Sequence, residues 1–166
     1  MKILIREAAI SDLPAMVDIY NQAIRSGGAT GDMNEFTVDE RKEWFNRFSS
    51  DEFPLLVAES DEKVIGYISL SPYRPGRKAF SDVAEVSFFV DYSCHGMGVG
   101  RKMMEHMMDY ARLTGKRVVL AILLEVNKHS IALLESKGFN RWGHLPHVGN
   151  FNGDHIGQFI YGINLN

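Results

Sequence analysis

Apolar and polar positions along the chain fall into alternating and helical rhythms that change at defined points. Residues 2–6 (KILIR) alternate and predict a short strand. Ser11 is read as a helix N-cap with Pro14 in the first turn. Leu13, Met16, Val17, Ile19, Tyr20, Ala23 and Ile24 follow at helical spacing. Glycines in residues 26–32 (SGGATGD) end that pattern in a loop. Thr37-Val38-Asp39-Glu40 matches a capping box, so a second helix is expected to carry Trp44, Phe45 and Phe48.

The rhythm then turns to strands. Residues 54–59 (PLLVAE) and 63–70 (KVIGYISL) flank a Ser60-Asp61-Glu62 turn and predict a hairpin. A polar loop, 73–82, precedes the β-prone run 83–90 (VAEVSFFV). Next come His95-Gly96-Met97-Gly98-Val99-Gly100 and a helix from about Val99 to Leu113, closed at Gly115. A buried strand, 117–124, leads to a helix over 128–136 capped by Asn127 and closed by Gly138. Two last strands surround Asn152-Gly153, a hairpin-forming pair. No repeat or linker divides the chain, so residues 1–166 read as one α+β domain with helices packed on a central sheet.

Composition narrows the function classes. The net charge of −3 supplies no basic field, which argues against a nucleic-acid binder held by phosphate contacts. No apolar run approaches the ~18–20 residues of a membrane-spanning helix. Arg6, Glu7 and Asp12 interrupt any leader-like start, so a cytoplasmic enzyme without a membrane partner is expected. The single cysteine, Cys94, excludes an internal disulfide and fits a reducing compartment. The six histidines show no metal-ligand spacing, and no metal is expected. Met103, Met104, Met107 and Met108 read as packing on the third helix.

The most informative segment is the strand, the glycine cluster and the helix after it. Glycines let a backbone turn sharply and approach a ligand, and free amides at the next helix start favour an anion. A phosphate or pyrophosphate is the natural guest; simple turn residues are the alternative. The P-loop pattern fails, because Gly100-Arg101-Lys102-Met103 lacks the Ser/Thr that would hold magnesium. The dinucleotide pattern fails in both registers, at Arg101 and at Met103.

The loop closely resembles the pyrophosphate loop of the GNAT acetyltransferases, Gln/Arg-x-x-Gly-x-Gly/Ala, at His95, Gly98 and Gly100, with His95 in place of Gln or Arg. Asn127, Ser130, Leu133 and Lys137-Gly138-Phe139 resemble the family's N-x-x-[AS]-x-x-L…GF segment. Tyr20-Asn21, Ala29-Thr30, Arg41 and Trp44-Phe45 resemble the phosphinothricin-acetyltransferase-like branch, as does Glu85-Val86-Ser87-Phe88-Phe89-Val90. Residues 148–155 lack the Lys and Trp that this branch often carries near its end.

The resemblance implies a three-layer fold with a mixed, mostly antiparallel sheet that splays at the acetyl-CoA site. It implies an acetyl-CoA-dependent N-acetyltransferase acting on a small amino-acid-like amine in a ternary complex, and a homodimer. Acetyl-CoA would lie against Phe88, Phe89, Val90, the loop His95, Gly96, Met97, Gly98, Val99, Gly100 and Arg101, and Asn127 and Ser130. Glu85 would be the general base, or else a surface strand carboxylate. A main-chain amide at Phe89 or Val90 would hold the thioester carbonyl. Asn127 would face the pantetheine arm, or only cap its helix. Leu134 stands where relatives often place a thiolate-protonating Tyr or His. An acetyl-Cys94 route lacks a poised base.

Two loops are expected to flank the thioester, which makes Thr30, Tyr73, Arg74 and Phe80 candidate acceptor contacts, with Arg74 suited to a carboxylate. Solvated loop residues are the plain alternative for these four. Protein N-terminus or lysine acetylation, and a non-catalytic acyl-CoA sensor, are the competing functions.

Overall fold

Seven strands form one sheet in the computed structural model, which describes residues 1–48 and 51–165. In sheet order they are β1 (Leu4–Glu7), β2 (Leu55–Ser60), β3 (Lys63–Pro72), β4 (Val83–Val90), β5 (Val118–Leu124), β7 (Asp154–Asn164) and β6 (Asn140–Phe151). All neighbours run antiparallel except β4 and β5. The helices are α1 (Leu13–Ser26), α2 (Val38–Phe45), α3 (Val99–Leu113) and α4 (Lys128–Ser136).

Strand alternation sorts side chains to the two faces of the sheet. Leu55 and Val57 of β2 and Tyr67 of β3 pack on Met16, Ile19 and Tyr20 of α1. Leu56, Ala58, Ile68 and Leu70 pack the opposite way, with Met103, Met104, Met107 and Met108 of α3 and Leu134 of α4. The four methionines are therefore core, as their spacing predicts. Burying a side chain of this size contributes about 1.5–3 kcal/mol each.

Three expectations need correction. A 3₁₀ turn at Ile10–Asp12 precedes α1, and Asp12 occupies the N-cap position expected for Ser11. The cause is electrostatic: Arg6 donates to both Asp12 carboxylate oxygens at 2.7 and 2.9 Å, and the Ala9 amide donates to one of them at 2.7 Å. The capping box at Thr37 and Glu40 forms as expected, but α2 ends at Phe45, leaving Phe48 just beyond it. Strand β3 runs two residues past its expected end, to Pro72, because it keeps pairing with β4 up to Pro72–Ala84.

One feature of the sheet positions the site. Residues 83–85 of β4 pair with 118–120 of β5, and there the shared ladder stops. Beyond it, β4 stays with β3 through Val90, while β5 stays with β7 through Leu124. The two central strands thus splay apart, as the family resemblance predicts.

Candidate active site

The gap between β4 and β5 opens into two cavities. The larger, about 880 Å³, lies against the glycine loop and α4; the smaller, about 660 Å³, lies under α1 and α2. Both are lined by Ala29, Ser87, Phe89, Ile122 and Leu123, so they meet at the splay.

The larger cavity is built from backbone. Gly98 caps α3 with φ +81°, a left-handed conformation that costs a side-chain-bearing residue, and no side chain caps the helix. The first-turn amides of α3 are therefore unclaimed by a cap, and Gly98, Val99, Gly100 and Arg101 line the cavity. At Gly100 a Cβ would stand 3.0 Å from Leu133 Cδ2, so glycine is what lets α3 approach α4 here. A cradle of uncapped amides shaped by glycine fits a pyrophosphate.

Phe88, Phe89, Val90, His95, Gly96, Asn127 and Ser130 also line this cavity; Met97 does not and points outward, 56% exposed. Asn127 caps α4 and also lies on the cavity wall. Its side chain accepts from the Ser130 amide at 3.3 Å while it lines the cavity. Leu134 is fully buried and apolar, with no capacity to move a proton.

The pairing register separates the two candidate amides, Phe89 and Val90. Gly66 opposes Val90, and the Asp91 amide donates to the Ile65 carbonyl at 2.9 Å. Val90 is therefore a non-hydrogen-bonded pair position, whose own N–H and C=O turn away from β3, toward the side that β5 has left. His95 Nε2 lies 3.1 Å from the Val90 carbonyl, and the His95 ring stacks on Tyr92 with centroids 4.4 Å apart. The unusual histidine of the loop thus ties the loop to the end of β4.

The smaller cavity is built from side chains. Tyr20, Thr30, Arg41, Trp44, Tyr67, Ser69, Ser71, Ser87 and Phe89 line it, and no carboxylate does. Tyr20 donates to Asp32 and shares a 2.7 Å hydrogen bond with Thr30; burial is the main cause that holds its hydroxyl up at about 12. Burial likewise pushes the Tyr67 hydroxyl up. The Arg41 guanidinium sits over Trp44, Tyr20 and Phe36 at 4.0, 4.9 and 5.1 Å.

Glu85 stands on the same strand face as Ser87 and opposite Ser71, both cavity residues, but does not itself line either cavity. It is half-buried and forms no ion pair among the described residues. Burial holds its carboxyl above the ordinary value.

Of the four expected acceptor contacts, only Thr30 reaches the cavity. Tyr73, Arg74 and Phe80 line neither cavity. Tyr73 packs instead on Val83, Val118, Leu120 and Ile160, with Arg74 5.3 Å over its ring and Phe80 edge-on at 6.0 Å. Arg41, Trp44, Tyr20 and Tyr67 were missed. Tyr20, Arg41 and Trp44 stood out only through the branch resemblance; a second signal is that Arg41, Trp44 and Phe48 recur at helical spacing, which puts a cation on the apolar stripe of the α2 segment.

Fold, uncapped glycine cradle and splayed sheet together define the class: the chain belongs to the acetyltransferase (GNAT) family, which it matches over residues 13–139. It is an acetyl-CoA-dependent N-acetyltransferase. Among particular proteins, it is 35% identical to YwnH of Bacillus subtilis, over 97% of this chain and 98% of that one. It is 33% identical to the L-methionine sulfoximine/L-methionine sulfone acetyltransferase of Pseudomonas aeruginosa, over 99% and 96% of the two chains. Among solved structures, a ribosomal-protein-alanine N-acetyltransferase from Brucella melitensis superposes with a TM-score of 0.91 at 34% identity, covering 97% of this chain and 99% of that chain.

Proposed function

We propose that the protein moves the acetyl group of acetyl-CoA directly onto the amino group of a small amino-acid-like acceptor, both substrates being bound at once. The observation that carries this is the meeting of two cavities at the splay. One has the chemistry for a pyrophosphate and its pantetheine arm, and the other is compact, aromatic and free of carboxylates.

Each step falls to a named group of the chain. The amides at the start of α3 hold the pyrophosphate. Asn127 and Ser130 face the arm. The Val90 N–H, turned into the gap, donates to the acetyl oxygen as negative charge develops there; such donors are worth ~2.7–4 kcal/mol. His95 fixes the Val90 peptide by holding its carbonyl. Glu85, set back by one position from the cavity wall, takes the proton of the acceptor ammonium through a bridging water. The thiolate needs no acid at Leu134, since a thiol of ordinary pKa ~8.5 is a tolerable leaving group.

Protein N-terminal acetylation is the second reading, favoured by the likeness to the Brucella structure. The aromatic lining of the cavity under α2 argues for the small acceptor. We further propose a cytoplasmic homodimer joined along β6, where Trp142, Leu145 and Val148 are exposed; light scattering after gel filtration tests the pairing.

Free CoA thiol is the readout for acceptor choice. Release driven by free amino acids such as L-methionine sulfone, and not by a peptide with an N-terminal alanine, is expected. Release driven by the peptide alone would overturn the small-acceptor reading.

A further inference from the structure

The acceptor cavity holds a cation without a counter-ion. Among the described residues, two charged ones line it, Arg41 and Arg47. Arg47 is exposed and lies 3.6 Å from Glu43, whereas Arg41 is half-buried and has no carboxylate within ion-pairing distance among the described residues. Three aromatic rings, of Trp44, Tyr20 and Phe36, lie against its guanidinium at 4.0–5.1 Å. Besides the Tyr67 hydroxyl, no described side chain takes a hydrogen bond from this guanidinium, which leaves N–H donors for a planar anion. A partly desolvated guanidinium is costly until a carboxylate answers it, and the bidentate pair is among the stronger polar contacts available.

We infer that Arg41 binds the carboxylate of the acceptor and so restricts the enzyme to amines that carry one. This rests on the small-acceptor reading above and adds the group by which that acceptor is chosen. The placement is consistent with transfer. Arg41 contacts Tyr20, and Tyr20 contacts Phe89 edge-on with centroids 4.9 Å apart at the splay. An acceptor anchored at Arg41 therefore extends its amine toward the acetyl group. The arrangement also moves the carboxylate contact from Arg74, which lines neither cavity, to Arg41, which lines the smaller one. A protein N-terminus has no α-carboxylate and offers this guanidinium nothing.

The test compares acceptors that differ in one group. L-Methionine sulfone, its primary amide and 3-(methylsulfonyl)propan-1-amine, which lacks the carboxylate, are assayed by CoA release with the wild type, Arg41→Met, Arg41→Lys and Arg74→Met. If L-methionine sulfone is not an acceptor, the best free L-amino acid takes its place, with its amide and decarboxylated form. In the wild type, removing the carboxylate lowers kcat/KM by about 30-fold or more, mostly through KM. Arg41→Met brings the amino acid down to the level of its amide, changes the amide by less than about 3-fold, and leaves acetyl-CoA binding by calorimetry intact. Arg41→Lys recovers part of the loss, and Arg74→Met keeps the full discrimination.

Equal turnover of acid and amide by the wild type overturns the role of Arg41 while leaving the small-acceptor reading standing. A parallel fall on both acceptors in Arg41→Met does the same. Should the variant fail to fold, the wild-type comparison of acid with amide still decides. Turnover of a peptide but of no free amino acid brings down both readings together.

Discussion

The two cavities that meet at the splay are made in opposite ways. The proposed acetyl-CoA side is largely backbone: glycines at 98 and 100, uncapped amides of α3 and the outward N–H of Val90 shape it, with His95, Asn127 and Ser130 on its wall. The acceptor side is side chain: Arg41 and Trp44 come from α2, Tyr20 from α1, Tyr67 from β3 and Thr30 from a loop. A backbone site tolerates sequence change wherever the fold is kept, so it serves many relatives. A side-chain site is rewritten by single substitutions, and the proposed role of Arg41 places acceptor choice there.

The sharpest separation of the two halves comes from Glu85→Gln. Loss of a general base lowers kcat by about 10²–10⁴-fold, while calorimetry should find acetyl-CoA affinity unchanged. The acid limb of kcat/KM in the wild type should lie above the ordinary carboxylate range near ~4.3, because burial raises Glu85 and the base works only when ionised. A limb at the ordinary value, or one that persists in the Gln variant, would remove Glu85 from this role.

The backbone half is broken by Gly98→Val. A Cβ there meets nothing within 4 Å, so the cost is pure conformational strain at φ +81°. Strain of this kind is about 1–3 kcal/mol and should appear as acetyl-CoA binding weakened by roughly 5- to 150-fold. The preference among acceptors should survive. If that preference changes instead, the two halves are not separable in the way described.

A smaller effect is expected at His95, which lines the larger cavity and holds the Val90 carbonyl. His95→Ala should lower kcat by about 2- to 10-fold, the worth of one neutral hydrogen bond. His95→Gln, restoring a side chain common in the family, should recover most of it, whereas a KM effect confined to acetyl-CoA would mean that His95 acts on the cofactor directly.

The smallest effect is on stability. The raised carboxyl of Glu85 means the folded chain holds this proton more tightly than the unfolded chain. Its contribution is most favourable below the unfolded pKa and is lost as pH rises from there through the raised folded value. Glu85→Gln should therefore gain Tm relative to the wild type at pH 8, and gain little or none at pH 4, in thermal scans by circular dichroism.

The contrast also explains what could be read from the sequence. Elements and the cofactor half follow local rules: a β-prone run, a glycine cluster and a helix start lie within residues 83–101 and fix their own geometry. Even the choice of Val90 over Phe89 needed only the pairing register with β3. The acceptor half depends on where distant segments converge. Tyr73 looked like a site residue from its loop, yet β3 continues to Pro72 and carries Tyr73 onto Val83 and Ile160. Arg41 was legible only as part of the branch resemblance, with no role attached, until the fold placed it over three aromatic rings beside a cavity. At the helix start, the sequence points to Ser11, but a 3₁₀ turn over Ile10–Asp12 moves the start one residue on, with the Asp12 carboxylate held by Arg6 and the Ala9 amide.

Direct transfer across the splay is the central claim, and one experiment addresses it without knowledge of the natural acceptor. The protein is mixed with acetyl-CoA alone and then with acetyl-CoA plus amino acid, with CoA release and intact protein mass followed in both. The account predicts no burst of CoA and an unchanged protein mass in the first mixture, with release only when the amino acid is added. A burst of CoA equal to the enzyme present, with an acetyl group retained on Cys94, would contradict it.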